Sequence, residues 1–102
     1  MQFELRLVSA KQGELQFIFK MIVDNLTRGI KEGNFRNDIN IEILSRLRVE
    51  QVQICFDQKI FPRDQFEFKE VQMQIFDHFL FGIVTPKGKS LYEKYQLKKS
   101  VA

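Results

Sequence analysis

The chain is poor in the residues that build stapled or turn-rich folds. It has one cysteine, two prolines, five glycines, one histidine and no tryptophan. One cysteine, Cys55, excludes an intrachain disulfide framework and metal sites built on cysteine pairs, and points to a reducing, cytoplasmic setting. So little Pro and Gly argues against a β-sandwich with its many turns. There is no long apolar run either. The longest stretch free of charge is residues 78–86, far short of the roughly 20 apolar residues that span a bilayer. The start, MQFELRLVSA, carries an early acid and no apolar core, unlike a signal peptide.

Net charge is also small. The 102 residues sum to +3, with −1 over residues 1–84 and +4 over 85–102. A balance this weak does not predict nucleic-acid binding, and no aromatic or base-reading element accompanies the terminal lysines. What is abundant is phenylalanine, with 11 residues, in a chain 44% hydrophobic and 28% charged. That composition fits one folded domain and neither a disordered tail nor a membrane protein.

Periodicity predicts an all-α antiparallel helical bundle, with helices at about 10–32, 39–57, 67–84 and 86–97. In the first, Leu15, Ile18, Phe19, Ile22, Leu26 and Ile30 recur at three- and four-residue steps. Gln16, Lys20, Asp24, Thr27 and Lys31 form the opposite stripe, so the helix packs on one side. Gly33 is placed to stop it, because glycine takes the left-handed conformation cheaply. Asn40 reads as the N-cap of the second helix, with Glu42 in its first turn. Thr85-Pro86 reads as a cap followed by proline at the first helical position. Residues 1–10 fit either a strand or a helix, and helix is preferred because no second strand exists to pair with.

The second and third helices carry too few polar residues for one-sided burial. Glu42, Arg46, Glu50, Gln53 and Asp57 form a single narrow stripe, flanked by Val49, Val52 and Phe56 and by Ile43, Leu47 and Ile54. In the third, Phe76, Leu80, Phe81 and Ile83 pose the same problem. One chain of this size is not expected to cover all of them. A homodimer would, and its expected interface is Val49, Val52, Phe56, Phe76, Leu80, Phe81 and Ile83.

Catalysis is not expected. His78 and Cys55 lie on different helices, and no HExxH motif or Gly-rich phosphate loop is present. No metal or cofactor is implied. The surplus of Phe and Met leaves two readings open: plain core, or an apolar pocket lined by Phe17, Met21, Phe56, Met73 and Phe76.

The segments RGIKEGNFRNDINIEILSRL (residues 28–47) and FGIVTPKGKSLYEKY (residues 81–95) together resemble the C-terminal half of TetR/AcrR-family transcriptional regulators of the Bacteroides-like kind. The resemblance rests on Gly29, Gly33, Phe35, Arg36, Asp38, Asn40 and Ser45, and on the ends of the final helices. It implies an all-α fold, a homodimer formed through a four-helix bundle, and a pocket for a small apolar or aromatic effector. Family members begin with a helix-turn-helix domain, and nothing before Leu15 matches one. DNA contact is therefore expected only through a domain outside this chain. The alternative is a stand-alone helical interaction module without DNA binding.

Overall fold

A computed structural model describes residues 12–101, so the expectation for residues 1–10 lies outside the described residues. The described chain is helical, and α1 (Gln12–Lys31), α2 (Ile41–Ile54), α3 (Phe68–Phe81) and α4 (Pro86–Val101) follow in order. No strand accompanies them among the described residues, only one isolated antiparallel bridge between Phe35 and Val84. The extents are 38 × 32 × 20 Å, a slab about two helix diameters thick. The second and third helices end earlier than periodicity predicts, and α4 runs past Leu97 to Val101.

The first helix follows its stripe. Leu26 is buried, Leu15, Ile18, Phe19, Ile22 and Ile30 are half-buried, and Gln16, Lys20, Asp24, Thr27 and Lys31 are exposed. Its C-terminus is a Schellman motif. Gly33 N–H donates to Ile30 O (3.0 Å) and Asn34 N–H to Gly29 O (2.8 Å), with Gly33 at φ 80°. At the start of α2 the Asn40 side chain accepts from Ile43 N–H at 3.0 Å, as the sequence predicts. A core of Leu26, Phe79 and Ile83, with Ile22, Phe35, Ile39, Ile41 and Leu44 against it, joins α1, the link before α2, and α3.

The link after α1 and the turn between α3 and α4 are clasped together. Arg36 N–H donates to Ile83 O and Thr85 N–H to Asn34 O, each at 2.9 Å. The Thr85 hydroxyl donates to Gly33 O (2.7 Å), and it accepts from Gly88 N–H (3.1 Å) as the N-cap of α4. Lys87 Nζ reaches Glu32 O at 2.8 Å. Gly88 lies directly against the Asn34 carbonyl, and Gly29 against the Phe35 ring. The two segments that carry the family resemblance thus meet at one end of the molecule.

Farther along α4, the Tyr92 hydroxyl donates to Asp77 Oδ1 on α3 (2.6 Å) and accepts from the Gln96 amide. Beyond these contacts α4 is sparsely covered, and Leu91, Tyr95 and Leu97 are exposed.

Candidate functional site

The spacing of α1, α2 and α3 leaves a groove of about 870 Å³ on one side of the core. Ile18, Met21, Ile22 and Leu26 of α1 form one wall, and Phe76, Phe79 and Leu80 of α3 with Ile83 form the other. Arg48 and Val52, one turn apart on α2, and Tyr95 of α4 complete it. Asn25, Arg28 and Glu32 give it a polar edge, where Arg28 donates to Asn25 Oδ1 at 2.9 Å. The groove follows α1 from Ile18 past its end, roughly 20 Å at 1.5 Å per residue.

Arg48 is the charged group set among the apolar walls. Its guanidinium carbon lies 5.1 Å from the Phe76 ring centre and 5.7 Å from that of Phe79. Ring faces attract a cation through their quadrupoles. No carboxylate pairs with it among the described residues; the ion pairs there are Arg36–Asp38 (3.5 Å) and Arg46–Glu42 (3.9 Å), both exposed. Burial pulls the Arg48 pKa below its ordinary value, against a smaller opposing effect of Cys55. Burial likewise pushes the Cys55 thiol up, and its Sγ donates to Gln51 O at 3.2 Å. A buried thiol held protonated is a packing group, not a nucleophile. His78 is exposed on α3. Among the described residues no group of three or more His, Cys, Asp or Glu is placed to hold a metal ion.

The residues singled out in the sequence for a ligand are split by the fold. Met21 and Phe76 line the groove. Phe17 is 69% exposed on α1. Phe56 packs against Phe68 with ring centres 4.8 Å apart. Met73 borders a separate cleft of about 380 Å³ with Phe81 and Tyr92. The residues singled out for a dimer also divide. Val49, Leu80 and Ile83 are buried by the chain's own helices, so these three need no partner to cover them. Val52 is half-buried in the groove, Phe76 sits at its rim, and Phe56 and Phe81 are exposed.

Sequence reasoning missed Arg48, although a signal was there. It falls on the line of Ile41, Ser45, Val52 and Cys55, away from the polar stripe of α2. A cation on a line of covered residues needs either a partner or a cavity. Ile22, on the packed stripe of the first helix, and Phe79 each serve both core and groove wall.

No helix among the described residues is long and apolar enough to cross a membrane. Compared with protein-family models, with curated proteins and with solved structures, the chain gives no match.

Proposed function

We propose that this chain is the effector-binding and dimerisation domain of a TetR-type transcriptional regulator. The observation that carries the reading is the groove. Its volume of about 870 Å³ falls within the ~300–1,000 Å³ common for small-molecule sites, and its walls are apolar with few polar groups. In the intact regulator, an effector in this groove would bias the spacing of two DNA-reading heads and so change operator affinity. The chain itself would not read DNA.

The dimer would form over the apolar surface that one chain leaves open. Ile43 and Leu47 on α2, Met73, Phe76 and Phe81 on α3, and Leu91 on α4 are all at least 37% exposed. Large exposed apolar patches mark interaction surfaces. The same surface favours the second reading, an interaction module working without DNA. The two readings part at the groove, since only the first requires a ligand.

Sedimentation equilibrium over a wide concentration range tests the dimer. The expected result is a species of twice the 12.2 kDa chain mass. A single species of one chain mass at micromolar concentration would remove the dimer from the reading. The DNA reading frame upstream of Met1 separates the two functions, because a regulator requires an in-frame helix-turn-helix there.

A further inference from the structure

We infer that the groove takes an elongated monocarboxylate, with its carboxylate on Arg48 and its apolar part along the Ile18, Ile22 and Leu80 walls. The inference rests on the reading of the groove as a ligand site, and goes beyond it by naming the ligand's chemistry.

Three observations carry it. The first is the state of Arg48. It is half-buried, it lies over two aromatic rings, and no carboxylate of the described residues pairs with it. A half-buried guanidinium gives its donors to protein acceptors, to water, or to a ligand that displaces the water. The rings answer the charge but leave the hydrogen-bonding edge of the fork open, and that edge matches a carboxylate in two-point geometry.

The second is the lining. Beside Arg48 stand Val52, Phe76, Phe79 and Leu80, none of which offers a side-chain oxygen or nitrogen to accept a hydrogen bond from an alcohol, or a carboxylate to form an ion pair with a cation. The one acid of the groove, Glu32, lies beyond the end of α1. Arg48 lies well inside α2, about 10 Å along that helix from its start at Ile41. An anion would find the Arg48 charge among these apolar side chains, while a cationic ligand would be repelled by it.

The third is shape. A trough roughly 20 Å long fits an extended chain or a narrow aromatic acid better than a compact ligand. An open trough also leaves the far end of such a ligand free to vary.

Isothermal titration of the full chain with decanoate and with decan-1-ol tests the inference. These probes share an apolar chain and differ only in the head group. One decanoate per chain is expected, bound at least tenfold more tightly than the alcohol. In Arg48→Gln that preference should vanish while alcohol affinity stays within twofold. Arg48→Lys should keep a reduced preference, since an ammonium offers charge without the planar fork. Far-UV circular dichroism and chain mass of each variant establish that it is folded and assembled as the parent is.

Equal affinity for acid and alcohol, or a preference that survives Arg48→Gln, would overturn the carboxylate assignment and leave the groove as a ligand site. Binding of neither probe to the folded parent, or uptake of many molecules per chain, would overturn the assignment and the ligand reading together. The dimer is judged separately by sedimentation.

Discussion

Gly88 is where α4 touches the link after α1 through bare main chain. A methyl group there would occupy the space of the Asn34 carbonyl, a backbone atom held in place by its bond from Thr85 N–H. Overpacking of this kind costs about 1–3 kcal/mol, and here a clasp bond is lost with it. Gly88→Ala should therefore lower stability to urea by about 2–3 kcal/mol, read from the midpoint at unchanged slope. Ser45 is the opposite case. It is fully buried, and its hydroxyl has no hydrogen-bond partner. Removing an unsatisfied buried hydroxyl deletes a desolvation cost, so Ser45→Ala should be neutral or stabilising by up to about 1 kcal/mol. A loss above that in the same urea titration would mean the hydroxyl is satisfied in solution. Both residues stood in the sequence, yet they were legible to different degrees. Gly33 announced its role as a helix stop, because a positive φ is a local demand. The role of Gly88 depends on a carbonyl more than fifty positions earlier, which no spacing along the chain reveals.

At the scale of elements, α1 was readable from its stripe and α4 was not. The apolar and polar sides of α1 fall where the periodicity puts them. In α4 the apolar residues Leu91, Tyr92, Tyr95 and Leu97 spread round the helix, and most of them are exposed. What ties α4 to α3 is one residue, Tyr92, with its hydroxyl on the Asp77 carboxylate and its ring edge-on to Phe76 and Phe81. Burial first, and then the bond to Asp77, raises the Tyr92 pKa above its ordinary value. Ionisation of the phenol is thereby opposed in the folded state more than in the unfolded one. Its contribution to stability is full below the unfolded value, about pH 10, and falls as pH rises through the folded value. Urea midpoints should fall more steeply between about pH 10 and 12 for the parent chain than for Tyr92→Phe. Tyr92→Phe should itself cost about 1 kcal/mol at neutral pH, since the lost bond is to a partly exposed acid. Parallel profiles for the two proteins would show that the bond does not outlast solvent competition.

For the whole molecule, composition and periodicity were enough to establish a helical chain, while the groove escaped them. A stripe reports which side of a helix is covered, not by what or how closely. Arg48 and Val52 came from α2, Ile18 and Ile22 from α1, and Phe76 and Phe79 from α3, and only packing brings them to one trough. The same limit explains why Val49, Leu80 and Ile83 were assigned to a partner, when the chain's own helices bury them. The surface that remains open predicts where assembly is most sensitive. Phe81 is 45% exposed and meets Tyr92 edge-on at 5.7 Å. Phe81→Glu would set an unpaired carboxylate in the proposed interface, at a cost of several kcal/mol to a dimer. The variant should sediment at one chain mass while keeping its helical circular dichroism. A dimer that persists unchanged would move the interface to another face.

The clasp has a consequence for the order of events in folding. Its Thr85 to Gly33 bond closes a loop of 52 residues. Closing such a loop in an open chain costs on the order of 3–4 kcal/mol. Each clasp bond nets only about 1 kcal/mol, so no one of them offsets that closure, and together they do little more than balance it. The expected order is therefore packing of α1, α2 and α3 first, with the clasp closing once Asn34 and Thr85 are near each other. Contacts made after the rate-limiting barrier govern escape from the native state and not arrival at it. Thr85→Ala should therefore leave the refolding rate in stopped-flow urea jumps nearly unchanged and speed unfolding roughly in proportion to the stability lost. On that order of events, the lifetime of the native chain is set at its clasped end, by a latch that folding reaches last and unfolding opens first.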